Sequence, residues 1–165
     1  MGCRTLMVVL CCAAWSVAWA GADPGTILKF DTMTPVTGPY VGSANPIRAV
    51  PGGGLAWMIT AATGSLKSDG HLLLHVRGLV LADQPPVPAA LQGTNPIPDF
   101  KAIVSCQSIS VGGTATISNL STAQFPASAA GNSDINATVS LPRPCIAPIV
   151  FVTSPGDAWF AATGS

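Results

Sequence analysis

The sequence predicts an all-β protein, an antiparallel β-sandwich of about eight strands. Short runs of apolar and β-branched residues alternate with turns rich in Gly, Pro, Asn and Asp along most of the chain. No stretch keeps the 3.6-residue periodicity of a helix. Asp69-Gly70, between two apolar runs, is a strong hairpin signal. Frequent turns between short strands are typical of sandwiches, and a closed barrel is the alternative.

Residues 1–20 have the pattern of a secretory signal peptide. A basic residue near the start precedes an uncharged stretch, which ends in a small-x-small cleavage site at residues 18–20. We predict cleavage after Ala20, with Ala22 as the second choice, and a single sandwich domain over residues 23–165. An uncleaved anchor helix is the competing interpretation, although the uncharged stretch is at the lower limit of membrane-spanning length. The protein is therefore expected to be secreted or otherwise extracytoplasmic.

Two cysteines, Cys106 and Cys145, remain once residues 1–20 are removed. An even number in an exported chain favours a disulfide, so we predict a single Cys106–Cys145 bond, with two buried free thiols as the alternative. Cys106 also shares the apolar face of a predicted strand over 100–106, which directs its side chain inward. Because Trp57 precedes both cysteines, the architecture is expected to be immunoglobulin-like without being a true immunoglobulin domain.

The first half of the chain is predicted to hold one strand, a long loop and a hairpin. Residues 26–31 alternate as a strand does, whereas Pro and Gly interrupt 34–54 and leave only a short strand at 47–50. The hairpin strands cover 55–66 and 71–82.

A two-residue turn at Asp69-Gly70 would place Lys67 opposite Leu72. The same register separates a core face from a solvent face, which agrees with the residue types on each. The core face carries Trp57, Ile59, Leu72, Leu74, Val76 and Val80, and the solvent face carries Met58, Thr60, His71, His75 and Arg77.

The second half begins with a proline-rich segment, 83–98, which is predicted to be an exposed connection. Runs rich in Val, Ile and Thr then predict strands over 100–106, 114–120, 135–141, 146–153 and 158–163. Pro155 and Gly156 occupy the central positions of residues 154–157, which predicts a type II turn between the last two strands.

The charge content narrows the classes of partner. Charged residues make up 8% of the chain, the formal net charge is zero and Glu is absent. A neutral chain without a basic cluster argues against nucleic acid and against a membrane role beyond the signal peptide. The lack of Glu also removes the acid of most glycosidases, the zinc metalloprotease motif and the last ligand of an EF-hand.

Few side chains are candidates for metal binding. His71 and His75 share a strand face but lie about 13 Å apart, too far to bind one metal ion without help from another strand. Asn132, Asp134 and Asn136 offer oxygen atoms, but too few carboxylates for a calcium site.

Two further sets of residues each have two interpretations. Asn119 and Asn136 begin acceptor patterns for N-glycosylation, which matter only in a eukaryotic source. The aromatic residues could form a sugar-stacking platform, but core packing is the better interpretation for Trp57, Trp159, Phe151 and Phe160. No catalytic residue, cofactor site or metal site is predicted.

Several segments carry a resemblance that covers nearly the whole mature chain: MTPVTGPY, GGGLAW, SDGHLLLHVRGLVL, KAIVSC and PCIAPIVFVTSPGDAWFAATG. They resemble a group of small secreted, mostly bacterial proteins of unknown function. The resemblance implies a self-contained exported domain and no activity or site residues.

The function predicted from these observations is a non-catalytic secreted β-sandwich that acts in surface interaction, adhesion or assembly. Its partner would be a protein or a glycan at the cell surface or outside the cell. The alternative is a small extracellular hydrolase that uses Ser, His and Asp side chains brought together by the fold. A Ser hydroxyl and an Asp carboxylate within hydrogen-bonding distance of either histidine would favour the hydrolase.

Overall fold

The computed structural model describes residues 25–164, and the predicted signal peptide lies outside these residues. The described part is all-β, with one short 3₁₀ helix at Gly38–Tyr40. Its strands, in chain order, are β1 (Thr26–Phe30), β2 (Thr34–Pro35), β3 (Trp57–Met58), β4 (Ala61–Lys67), β5 (His71–Arg77), β6 (Val80–Leu81), β7 (Asp99–Ile109), β8 (Ala115–Ser121), β9 (Phe125–Pro126), β10 (Ser133–Thr138), β11 (Ile146–Thr153) and β12 (Trp159–Ala162). Eight of these have four or more residues, which agrees with the predicted number.

The strands form two main antiparallel sheets. The first sheet has the order β1-β4-β5-β10. The second has the order β2-β12-β11-β7-β8, and β9 pairs with one end of β7. A short β3-β6 ladder continues the hairpin beyond the first sheet. No helix in residues 25–164 has the length and apolar character needed to cross a membrane.

The core lies between the two sheets and confirms the predicted sandwich. Side chains from both sheets are fully buried in one cluster: Leu66, Leu72, Leu74, Val76 and Ile135 from the first, and Val104, Cys106, Val150, Val152 and Ala161 from the second. At one end, Trp57 stacks on Phe160 with ring centroids 3.9 Å apart, and Phe100 meets Phe160 edge-on at 5.9 Å. The aromatic residues proposed as a sugar platform are therefore core residues, as expected.

The hairpin is present, but its predicted register is wrong by one residue. Leu66, not Lys67, lies opposite Leu72. The Gly70 N–H donates to the Lys67 carbonyl at 3.0 Å, and Gly70 has a φ of 90°, so the turn is a three-residue loop that ends in a glycine bulge. This register buries Leu66 beside Leu72, whereas the predicted one would have brought a lysine to the core face.

Each hairpin strand is also broken in the middle. Gly78 has a φ of 64°, and a Cβ there would collide with the Thr60 hydroxyl. The positive φ ends β5, and pairing resumes in the same register as β3 and β6. The predicted core face of the hairpin is confirmed, since Trp57 and Val80 are buried and Ile59 is partly buried.

Two other local predictions are wrong. Residues 47–50 form a tight turn and not a strand, because Ile47 and Val50 bond to each other across Arg48 and Ala49, whose φ values are 49° and 65°. The turn before β12 is not type II, since the positive φ of 69° belongs to Asp157 and not to Gly156.

The Cys106–Cys145 disulfide is confirmed, with Cα atoms 5.0 Å apart. It joins the middle of β7 to the residue that precedes β11. Cys106 is fully buried, and Cys145 packs against the core from its edge. The bond closes a segment that contains β8, β9 and β10.

Candidate functional site

A row of polar side chains covers the outer face of the first sheet. His71, His75 and Arg77 alternate along β5 with Leu72, Leu74 and Val76, which are buried on the opposite face. β10 pairs with β5 so that Asp134 lies opposite His75. Because paired residues project from the same face, the sheet brings these charged and polar groups together.

Asp134 is the centre of this row. Its Oδ1 atom lies 2.7 Å from His75 Nδ1 and also accepts a hydrogen bond from Arg77 Nη2 at 2.7 Å. Arg77 Nη1 is held by the carbonyls of Val76 and Ser133 at 2.7 and 3.2 Å. The hydrogen bonds from His75 and then from Arg77 lower the pKa of the Asp134 carboxyl below its usual value.

The candidate calcium ligands each bond to a different part of the chain. Asn136 Oδ1 lies 2.9 Å from His71 Nε2, and Asn132 Oδ1 accepts the Gly78 N–H at 3.0 Å. With Asp134 engaged as above, each of the three side chains has a hydrogen-bonding partner inside the chain. Over residues 25–164, no group of three or more His, Cys, Asp or Glu side chains is placed to hold a metal ion.

Of the two contacts that the hydrolase alternative requires, His–Asp and His–Ser, the structure shows the first. His75 and Asp134 form the His–Asp pair, with Nδ1 engaged by the carboxylate. In the part of the chain that the structure describes, no serine hydroxyl hydrogen-bonds to His75 or His71. The carboxylate is shared with Arg77, and the pair lies on an open sheet face. Asp134 thus bridges His75 and Arg77 on the exposed face, and no serine among residues 25–164 completes the set.

The end of the second sheet exposes four large aliphatic side chains, here called the apolar patch: Ile109, Val111, Ile117 and Ile146. Ile117 of β8 and Ile146 of β11 flank the same residue of β7, Gln107. Ile109 follows two residues along β7 on the same face, and Val111 lies just beyond it, in the turn to β8. This face points away from the core, because Val104 and Cys106 occupy the inner face of β7.

Sequence reasoning missed the apolar patch. The alternation of Ile109 and Val111 with serine and glycine, and of Ile117 with threonine and serine, reads as ordinary strand pattern. One signal was available: Ile109 lies two residues from the polar Gln107 and therefore on the same strand face, opposite the inward-pointing Cys106, which places Ile109 on the outer face. Only the pairing of β7 with both β8 and β11 shows that these residues meet.

A cleft of about 300 Å³ lies beside the second sheet. Its lining includes Tyr40 and Ile47 of the loop after β2, together with Ile149 and Trp159. The Trp159 indole N–H is buried and has no hydrogen-bonding partner among residues 25–164. The cleft is mainly apolar and lies apart from the polar row.

Both glycosylation acceptor asparagines are exposed. Asn119 Nδ2 donates to the Arg48 carbonyl at 2.8 Å, and Asn136 contacts His71 as described.

Comparisons of the chain with protein families, with curated proteins and with solved structures found no match.

Proposed function

We propose that the protein is an exported, non-catalytic binding module and that the apolar patch is its binding surface. One observation carries the proposal. Three large aliphatic side chains, Ile109, Ile117 and Ile146, lie exposed together on one sheet face, and Val111 is exposed in the adjoining turn. Ile109 and Ile117 are 54% and 46% exposed. Contiguous exposed apolar surface on a folded domain marks a site of interaction.

The chemistry of the apolar patch favours a protein as the partner. Its side chains are aliphatic, and the neighbouring Gln107 is uncharged. Sugar rings are usually held by exposed aromatic faces, and the apolar patch contains no aromatic side chain. A neutral patch also gives no attraction to nucleic acid or to anionic lipid. Adhesion to, or assembly with, a protein outside the cell is the function that fits.

The export part of the proposal rests on residues 1–20 and on the disulfide. A disulfide in a small domain is typical of an oxidising compartment, which is where a signal peptide would deliver the chain. Mass spectrometry of the protein from the culture medium is expected to find an amino terminus near Gly21 or Asp23. Intact protein that begins at Met1 in the membrane fraction would contradict export.

The binding role is tested by capture from the native cell surface or medium. The exported protein is immobilised beside a variant in which Ile109, Ile117 and Ile146 are all changed to Ser. The matched control changes Met58 and Leu91 to Ser, because these residues are 39% and 37% exposed but lie outside the apolar patch. Wild type and control are expected to retain the same protein, and the patch variant is expected to lose it. Equal capture by all three would contradict the proposal.

A further inference from the structure

The four edges of the two main sheets differ in how they are protected. β1 carries Lys29 and a register shift, and β2 has two residues, one of which is Pro35. β10 carries Asp134 and lies against β9. Charge, proline, irregularity and short length are the features that keep sheet edges from pairing with other chains.

β8 has none of these features. Its seven residues, Ala115–Ser121, contain no charge and no proline, and its ladder with β7 runs without a register shift. Among the described residues, β8 pairs with β7 alone, so its other edge is open. A long, regular and neutral edge of this kind is a template for strand addition.

The hydrogen bonds between β7 and β8 show which main-chain N–H and C=O groups of β8 point to the open edge. At the two ends of the ladder, the Ser110 N–H donates to the Thr114 carbonyl and the Thr122 N–H donates to the Ala102 carbonyl. Antiparallel bonding alternates along a strand, so the even-numbered residues of β8 bond to β7. The N–H and C=O groups of the odd-numbered residues therefore face the open edge: Ala115, Ile117, Asn119 and Ser121.

We infer that β8 pairs antiparallel with β8 of a second copy of this chain, across a two-fold axis at Ser118. In this register Ile117 of one copy lies opposite Asn119 of the other, and Ala115 lies opposite Ser121. All four outward-facing residues of each strand are then used, which gives about eight main-chain hydrogen bonds across the axis. The inference rests on the proposed function and deepens it, since the partner at this edge is the protein itself.

Self-pairing is favoured over an unrelated peptide for two reasons. A two-fold antiparallel contact is complementary to itself, because the N–H of each outward-facing residue meets the C=O of the residue opposite and the axis repeats the same contact with the two copies exchanged. The strand also has no charge that would repel its own copy, and the whole chain has a formal net charge of zero. The pairing would further bring the exposed Ile117 side chains of the two copies close together.

The first experiment measures mass and amide exchange of the exported wild-type protein from micromolar to millimolar concentration. Analytical ultracentrifugation is expected to show a monomer and a dimer in equilibrium. Hydrogen exchange followed by NMR is expected to show protection of the Ile117 and Asn119 amides that increases with concentration. A mass of one chain at every concentration would overturn the inference.

The second experiment separates edge pairing from docking of the apolar patch. Ile117→Pro removes an N–H that faces away from β7 and towards the open edge of the described sheet, and proline is tolerated at such edge positions. It is expected to raise the dimer dissociation constant about tenfold or more, because each copy loses one hydrogen bond across the axis. Ile117→Thr, which keeps the N–H, is the matched control and is expected to dimerise. Ile146→Ser removes a patch residue away from the edge and is also expected to dimerise.

The outcomes separate this inference from the proposed function. A dimer that Ile146→Ser abolishes, and in which the Ile117 amide exchanges freely, overturns edge pairing but leaves the apolar patch as a binding surface. If wild type, patch variant and control capture protein equally while the concentration-dependent dimer persists, the binding of other proteins is contradicted and edge pairing stands. If Ile117→Pro does not fold, amide protection in the wild type decides the question by itself.

Discussion

Replacing both Cys106 and Cys145 with Ala is expected to destabilise the domain without unfolding it. The bond joins residues with a sequence separation of 39. In the chain-entropy model, closing a loop of that length in the unfolded chain contributes about 4 kcal/mol to the free energy of unfolding. Domains of this size have total stabilities of about 5–15 kcal/mol, so the loss would be a large share of the whole.

The fold is expected to survive because the core does not depend on the bond. Leu72 and Ile135 of the first sheet and Val104 and Val150 of the second are fully buried between the two sheets, and none of them is a partner in the bond. Thermal unfolding of the variant should therefore stay cooperative. Its midpoint is expected to fall by about 8–16 °C, because a loss of about 4 kcal/mol shifts the midpoint by about 2–4 °C per kcal/mol in a domain near 150 residues.

Urea unfolding at equilibrium measures the effect directly. The variant is expected to show a lower midpoint and a larger denaturant slope, because the open chain exposes more surface when it unfolds. The wild type under a strong reductant is the control and should unfold like the variant, whereas the reductant should leave the variant unchanged. A difference in unfolding free energy below about 1 kcal/mol would refute the entropic argument.

Three further perturbations test single positions. Gly70→Ala is expected to lower the free energy of unfolding by about 2–3 kcal/mol in urea titrations, because Gly70 has a φ of 90° and a main-chain carbonyl occupies the place of a Cβ. The control, Gly112→Ala, should lower it by less than about 0.5 kcal/mol. Exposed Ala49, at a φ of 65°, should gain about 0.5 kcal/mol on change to Gly, because strain is relieved in part. His75→Ala should raise the lowered pKa of Asp134 in an NMR titration. Since that pKa is depressed in the folded state, the stabilisation by this carboxylate is present at neutral pH and is lost as the pH falls through its folded value.

The candidate site was only partly predictable. The sequence placed His71, His75 and Arg77 on a solvent face, and the alternation with buried residues along β5 confirmed it. It did not pair His75 with Asp134, which lies 59 residues later. It also did not reveal the apolar patch or the open edge of β8, because both depend on which strands lie beside β7.

The sequence by itself determined where the long strands lie, the all-β class and the disulfide. Those features follow from local alternation, from turn residues and from the cysteine count, all of which are read along the chain. The tertiary structure alone decided the register of the hairpin, the left-handed residues Arg48, Ala49 and Asp157, and the identity of the sheet edges. The physical reason is that a strand's pattern specifies a buried face but not the neighbour that covers it. That neighbour is chosen by non-local pairing, which buries Leu66 opposite Leu72 and leaves β8 with one side open.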